Sequence, residues 1–325
     1  MGDSTVGEST LGDSSPGASS PGHTSPGHTS PGDSSRGDSS PGNGASGDGA
    51  AGSYASTANY RLELNGSRDG AVVLLHGLGG ELGQLWGLTP GEVGGRPAPI
   101  LAADAREHGG TFTAEMGPLS FDAMAQDVTS LADNLQLGPK LVLVGVSMGA
   151  ATALAVAMKV PGRVHALVIV RPAWLNEPLP DNLRAFPEVA KLLRAVGPEK
   201  GRAIFQESAR YREISAISPG GAASLLGQFD QPGAVARARR LEEMPSSVPY
   251  QGPESIQSLS VPVLVIGAPS DPVHPIGYAE ELASLLPASR LAVLTSRDLS
   301  PERNRADLES AVTSFLADLA PMPGL

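Results

Sequence analysis

The architecture of this chain can be traced from one stretch near its middle, Leu141-Val142-Leu143-Val144-Gly145-Val146-Ser147-Met148-Gly149. The apolar residues that open it are typical of a buried strand, and the run that follows, Ala150 to Lys159, is typical of a helix. A strand that turns into a helix on Gly-x-Ser-x-Gly holds the middle residue in a strained turn and exposes its side chain. The pattern predicts that Ser147 is a nucleophile. The alternative for a lone match is an ordinary strand-to-helix turn.

The composition narrows the classes of function. The chain has 325 residues, a formal net charge of −11 and no cysteine, which excludes disulfide and thiolate chemistry. No apolar run approaches the roughly 20 residues of a membrane span, and the N-terminus lacks the pattern of a signal peptide. We therefore expect a cytoplasmic protein with a small-molecule substrate or ligand and no membrane partner. The acidic balance argues against nucleic acid, and the sequence leaves the oligomeric state open.

The first 52 residues differ from the rest of the chain. Glycine recurs every five residues from Gly2 to Gly52, and the segment holds six acidic residues and one basic residue, Arg36. Such a composition has almost nothing to bury and cannot offset the entropy lost on ordering. We predict that residues 1–52 are disordered, as a linker or as the product of a misplaced start codon.

Residues 53–325 are predicted to form one α/β domain. Apolar positions three and four residues apart indicate helices over 121–135 and 308–319. Strands that alternate with such helices form a mostly parallel central sheet flanked by helices. The predicted strands are Tyr60–Leu64, Ala71–Leu75, Pro99–Ala103, Leu141–Val144, Ala166–Val170, Val261–Ile266 and Leu291–Leu294.

One region interrupts the alternation. About ninety residues between the strands that end at Val170 and begin at Val261 show no strand pattern but several helix-like runs. This is too long for a simple connection. We predict a helical cap over about 172–258, lying on the carboxyl edge of the sheet, where ligands bind in such folds. The alternative is a structural insertion that packs on its own aromatic residues.

Four motifs in this order resemble those of the α/β-hydrolase superfamily, in its cap-bearing branch. They are His76-Gly77-Leu78-Gly79-Gly80, Asp104-Ala105-Arg106-Glu107-His108-Gly109, the Gly145–Gly149 turn, and Gly267-Ala268-Pro269-Ser270-Asp271-Pro272-Val273-His274-Pro275. The second departs from the superfamily pattern, with Glu107 where glycine is usual. The resemblance covers roughly residues 60–320. It implies an α/β-hydrolase fold with a helical cap inserted after the sixth strand.

The resemblance also implies a catalytic site without metal or cofactor. Ser147 matches the nucleophile and Asp271 the acid that orients the base. The backbone N–H groups of Met148 and Leu78 match the donors that stabilise the oxyanion. The alternative for Asp271 is a turn or N-cap residue before a helix that starts near Ile276.

The sequence lacks the histidine that serves as the catalytic base in the superfamily pattern. Members of the superfamily place a histidine in the loop after the last strand, but here that loop, residues 295–304, contains none. Asp298 falls near the expected position, and Asn304 is a second replacement if the loop is realigned. Neither can do the work of a neutral imidazole near neutral pH.

Three of the four domain histidines have structural explanations. His165 begins a predicted strand, where packing accounts for it. His108 is expected to hydrogen-bond within its own loop, and His76 to make a structural hydrogen bond beside the oxyanion loop.

The fourth is His274, the remaining candidate base. It lies three residues after Asp271, on the rim of the expected pocket, and could reach Ser147 if the loop folds inward. The interpretation we favour is a turn residue before Pro275, with the catalytic base as the alternative.

Two classes of function remain open. The first is a cofactor-free serine hydrolase of a small ester, lactone or thioester, weak because the usual histidine is absent. The second is a non-hydrolytic protein of the same fold that binds a small molecule or a partner. A lyase or isomerase on the same scaffold is a third option, because fold alone does not fix the reaction.

Overall fold

The computed structural model describes residues 54–111 and 117–323. The segment predicted to be disordered, residues 1–52, lies outside the described residues. No helix in the described part of the chain is long and apolar enough to cross a membrane.

The nine strands among the described residues form a seven-stranded sheet and a separate two-stranded sheet. Their bounds are β1 Tyr60–Glu63, β2 Gly70–Leu75, β3 Glu92–Val93, β4 Arg96–Pro97, β5 Ile100–Ala103, β6 Lys140–Val146, β7 Val164–Val170, β8 Val263–Gly267 and β9 Ser289–Val293. The large sheet has the order β1-β5-β2-β6-β7-β8-β9, and β3 pairs with β4. Within the large sheet β1 is antiparallel to β5, and every other pairing is parallel.

Helices connect the strands and cover the sheet. Their bounds are α1 Tyr54–Thr57, α2 Phe121–Asn134, α3 Met148–Lys159, α4 Ala185–Val196, α5 Pro198–Gln206, α6 Ala209–Ile217, α7 Pro219–Leu226, α8 Arg239–Ser246, α9 Pro253–Ile256, α10 Ile276–Leu285 and α11 Pro301–Asp318. The predicted α/β architecture with a mostly parallel sheet is confirmed.

The core lies on both faces of the sheet, because successive side chains of a strand point to opposite sides. In β6, Leu141 and Leu143 join a cluster that includes residues of α2, α3 and α10. Val142 and Val144 join the opposite cluster, which includes residues of α11. A strand buried on both faces shows a continuous apolar run rather than alternation, which explains the pattern in the sequence.

Each observed strand of the large sheet begins and ends within two residues of its predicted bounds, and the last strand illustrates the difference. The last strand was predicted at Leu291–Leu294, but β9 begins at Ser289 and is only half-buried. Its final residue, Val293, is 58% exposed. The physical reason is that an edge strand is less buried than a central one and needs fewer apolar residues. The apolar run from Leu291 therefore does not include the first two residues of β9.

The long connection from β7 to β8 contains α4 to α9 and no strand. In chain order it follows the fifth strand of the large sheet, not the sixth. Four strands of that sheet, β1, β2, β5 and β6, come before β7. Inside the connection Phe205 packs on Tyr211 and Phe229. It also contacts the rest of the domain, since Trp174 packs edge to face on Phe121. The cap boundaries at about 172–258 remain a prediction.

The parallel strands bring chemically active side chains to one edge of the sheet. Ser147 follows β6, Arg171 follows β7, and the loop that holds Asp271 and His274 follows β8. Because β6, β7 and β8 are adjacent and parallel, their carboxyl ends lie side by side. This edge is where open α/β sheets bind ligands.

Candidate active site

Ser147 occupies the strained turn that its motif predicts. Its backbone has φ 54° and ψ −112°, between the end of β6 and the first residue of α3. The flanking glycines are required by close packing. A Cβ at Gly145 would overlap the backbone of Gly149, and a Cβ at Gly149 would overlap the carbonyl oxygen of Leu75. The turn therefore holds the hydroxyl in one place above the sheet.

His274 faces Ser147 directly. Its Nε2 lies 3.0 Å from Ser147 Oγ, and its Nδ1 lies 3.0 Å from Asp271 Oδ2. With the proton on Nδ1, the imidazole donates to the carboxylate and leaves Nε2 free to accept from the serine. The three side chains thus have the mutual geometry of a Ser-His-Asp triad.

The loop after β8 explains why a residue so near to Asp271 can reach the serine. Asp271 Oδ1 accepts hydrogen bonds from the backbone N–H groups of Val273 and His274, each at 3.1 Å. This tight turn directs the imidazole inward. His274 thus lies in a turn, and its side chain also contacts Ser147.

Arg171 is a further polar residue of the site, and no motif in the sequence indicated it. Its backbone has φ 50° directly after β7. Its Nη2 donates to Asp271 Oδ2 and lies 3.0 Å from His274 Nδ1. Only its position in the sequence could have indicated Arg171. It directly follows β7, which pairs with β6, the strand that precedes Ser147. Asp271 Oδ2 therefore accepts from both Arg171 Nη2 and His274 Nδ1.

These contacts set the charges of the site. Burial alone would raise the pKa of Asp271, but His274 and Arg171 hold that pKa well below its ordinary value. Burial lowers the pKa of His274, and the positive charge of Arg171 lowers it further, while Asp271 opposes both. At neutral pH the site therefore holds an ionised carboxylate, a neutral imidazole and a guanidinium.

The predicted oxyanion donors belong to Met148, the next residue after the serine in the chain, and to Leu78. Met148 is the first residue of α3, so its N–H is one of those that a helix leaves without an intrahelical acceptor. Leu78 lines the same cleft as Ser147. Its loop is held in place because Gly77 N–H donates to Gln84 Oε1 at 2.8 Å, while Gln228 Nε2 lies 3.4 Å from the Leu78 carbonyl oxygen. Their role as donors remains a prediction.

The other three described histidines contact backbone groups away from the serine. His76 Nδ1 lies 2.8 Å from the Gly77 carbonyl oxygen, and its Nε2 accepts from the N–H of Ala105 at 2.9 Å. His108 Nδ1 lies 2.9 Å from the carbonyl oxygen of Arg106 in its own loop. His165 Nε2 lies 2.8 Å from the Ala320 carbonyl oxygen. None of these contacts involves Ser147.

The two suggested replacements for a loop histidine have other partners. Asp298 accepts hydrogen bonds from Ser218 Oγ and from the N–H of Gly220, at the start of α7. Asn304 donates to the carbonyl oxygen of Thr295 at 2.7 Å. Both side chains thus stabilise local structure. No group of three metal-ligating side chains occurs within residues 54–111 and 117–323.

The triad residues line one cleft with a cavity volume of about 110 Å³, which is partly open to solvent. The long connection supplies one wall through Phe186, Ser224, Leu225 and Gln228. The loop after β9 supplies Arg297. A concave cleft lined by apolar side chains and a few polar groups is the usual form of a small-molecule site.

A family model matches most of the chain. It is the model of the alpha/beta hydrolase family, and it covers residues 72–307. The chain belongs to the alpha/beta hydrolase family. This family member carries its serine, acid and histidine within the matched residues.

Individual relatives are similar over different lengths. One segment of 100 residues is 39% identical to the sn-1-specific diacylglycerol lipase ABHD11 of Mus musculus, covering 31% of this chain and about a third (32%) of that lipase. A match over 206 residues is 27% identical to 3-oxoadipate enol-lactonase 2 of Acinetobacter baylyi, covering 62% of this chain and 72% of the lactonase.

Solved structures share the fold. The crystal structure of the enol-lactonase from Burkholderia xenovorans LB400 superposes with a TM-score of 0.59 and 24% sequence identity. The superposition includes 80% of this chain and 96% of the lactonase chain. At this identity the likeness supports the fold alone.

Proposed function

We propose that this family member is a serine hydrolase that cleaves a small ester, lactone or thioester through Ser147. One observation carries the proposal: His274 Nε2 lies 3.0 Å from Ser147 Oγ while its Nδ1 lies 3.0 Å from Asp271. A nucleophile, a base and an orienting acid in this arrangement support acyl transfer, and the chemistry needs no cofactor.

In the first half of the reaction, Ser147 Oγ attacks the substrate carbonyl carbon and His274 Nε2 takes the serine proton. The negative charge that develops on the carbonyl oxygen is stabilised by the N–H groups of Met148 and Leu78. Asp271 stabilises the imidazolium. His274 then gives its proton to the leaving oxygen or sulfur, and an acyl-serine ester remains.

In the second half, a water molecule replaces the leaving group. His274 takes a proton from the water, whose oxygen attacks the acyl-serine carbonyl carbon. The bond to Ser147 Oγ breaks, and the proton returns to that oxygen. The products are an acid and the free enzyme. For a lactone, the leaving alcohol and the acid belong to one molecule.

The relatives support a carbon–oxygen ester bond as the target. One similar protein is named an enol-lactonase, and another is named a diacylglycerol lipase. The non-hydrolytic alternative was based on the absence of a histidine after the last strand. His274 offers an imidazole to Ser147 from the preceding loop, so that argument no longer favours the alternative.

Labelling with a serine-directed fluorophosphonate tests the proposal. We expect the wild-type protein to be labelled and Ser147→Ala to be unlabelled, because the probe needs an activated hydroxyl. Ser224→Ala is the matched control, since Ser224 lines the same cleft but makes no contact with His274. It should label like the wild type. An unlabelled wild type, or labelling that persists in Ser147→Ala, would contradict the proposal.

A further inference from the structure

The cleft contains a second arginine that the proposed chemistry does not use. Arg297 lies between β9 and α11 and lines the cleft together with Ser147. Its Nη2 donates to Ser224 Oγ at 3.3 Å. It packs closely over α7, since a Cβ at Gly220 would come within 3.1 Å of Nη2. The guanidinium is therefore held in the wall of the cleft.

Arg297 differs from Arg171 in having no ion-pair partner among the described residues. Arg171 is paired with Asp271. Among residues 54–111 and 117–323, no carboxylate lies within 4.0 Å of the Arg297 guanidinium. The adjacent Asp298 uses its oxygens on Ser218 and Gly220. Arg297 therefore makes no close ion pair with the described residues, and an anionic ligand would supply one.

The donors near Arg297 suit an anion with a single charge. The charged side chains of the described cleft are Arg171, Asp271 and Arg297, which leaves one net positive charge when His274 is neutral. The backbone N–H groups of Gly220 and Gly221 are already used, by Asp298 Oδ1 and Ser218 Oγ. One guanidinium therefore remains, which matches a carboxylate better than a phosphate dianion.

We propose that Arg297 binds a carboxylate of the substrate, so that the enzyme acts on esters, lactones or thioesters that carry a carboxylate. The inference rests on the proposed hydrolase function. It adds a substrate class to that function and assigns a binding residue to the loop after β9.

The test compares matched chromogenic esters. The first pair is mono-4-nitrophenyl glutarate and its neutral methyl ester, which differ in the charge of the acyl part. The second pair is 4-acetoxybenzoate and its methyl ester, which differ in the charge of the leaving alcohol. We expect the wild type to show the lower KM for the charged member of at least one pair. Equal KM values in both pairs would overturn the proposal.

Substitution of Arg297 identifies the residue responsible. Arg297→Gln should raise the KM for the preferred charged ester by about 10- to 100-fold, because hydrogen bonds to charged groups contribute about 1.5–3 kcal/mol. The KM for the neutral ester should stay the same, and Arg297→Lys should retain part of the preference. Arg305→Gln, which alters an exposed pair with Glu309, is the control. Equal effects of Arg297→Gln on both esters would show a structural role and overturn the proposal.

Failure of the hydrolase function has a different signature. If the wild type cleaves none of the esters, binding of glutarate to wild type and Arg297→Gln is measured by calorimetry. Binding that is lost in the variant would support the carboxylate site without the hydrolase. No binding, or equal binding by both proteins, would overturn the site as well.

Discussion

Asp271 and His274 are three residues apart, and together they supply the acid and the base that face Ser147. One short loop therefore holds two parts of the triad. The loop is rigid because Asp271 Oδ1 binds two of its backbone N–H groups while Oδ2 faces His274 and Arg171. The same carboxylate thus shapes the turn and orients the imidazole.

The pH profile of kcat/KM should show the influence of Arg171. His274 must be neutral to accept a proton, so activity is present above its pKa and is lost as the pH falls through it. Burial and Arg171 both lower this pKa. We expect the acid limb to lie below pH 6.5, the ordinary value for histidine. In Arg171→Met the limb should move to higher pH, because the repelling charge is removed.

Arg290→Met is the control for this measurement, since Arg290 forms an exposed pair with Asp318. Its acid limb should match that of the wild type. A limb that stays in place in Arg171→Met would show that the guanidinium does not act on the imidazole.

At the scale of elements, the loop after β9 has a structural task in place of the expected catalytic one. Asp298 binds Ser218 and Gly220 at the first turn of α7. An acidic side chain at a helix N-terminus satisfies N–H groups that the helix leaves unpaired and complements its dipole. The loop thereby joins the long connection to the sheet, beside the cleft.

Asp298→His tests the two interpretations of this loop. If the site lacked a base, histidine at this position, near where the superfamily carries its own, would raise turnover. Because His274 already faces Ser147, we now expect no gain in turnover of a 4-nitrophenyl ester. We expect Tm to fall by about 2–4 °C, since the hydrogen bonds of Asp298 to Ser218 and Gly220 at the first turn of α7 are lost.

Asp318→His is the matched control, because Asp318 forms an exposed ion pair, whose contribution to stability is small. It should keep the wild-type Tm. A higher turnover in Asp298→His than in the wild type would indicate that the wild-type site lacks an effective base.

The elements that the sequence predicted well are those fixed by local pattern. The apolar run before Ser147 and the small residues around it specify a strand, a tight turn and a helix within about twenty residues. The position of the His274 side chain depends instead on a turn that only the folded loop forms. Arg171 has no local signal at all, because its role comes from the neighbouring strand β8 and the loop that follows it.

At the scale of the whole molecule, Tyr54 is the first residue that the structure describes. This residue is buried, and its hydroxyl donates to the carbonyl oxygen of Asp104 at 2.6 Å. Residues 1–52 were predicted to be disordered from their repeat of glycine, serine and proline. The sequence did not predict the order of the strands in the sheet, since the pairing of distant strands leaves no local trace in it.

Two truncations test this boundary. Removal of residues 1–52 should leave Tm unchanged, because the segment has no residues suited to a core. Removal of residues 1–58 should lower Tm by about 4 °C or more, because the buried Tyr54 and its hydrogen bond are lost. The measurement is thermal unfolding of both fragments beside the full chain. A lower Tm for the shorter truncation would show that the repeat packs on the domain.

The base assignment is the central claim, and kcat/KM of His274→Ala on a 4-nitrophenyl ester tests it most directly. We predict a fall of about 10²- to 10⁴-fold, the usual contribution of a general base. His165→Ala is the control, since that histidine contacts the carbonyl oxygen of Ala320 and should be replaceable without loss of activity. A fall of less than about threefold in His274→Ala, in a protein that remains folded, would contradict the account, because another group would then activate Ser147.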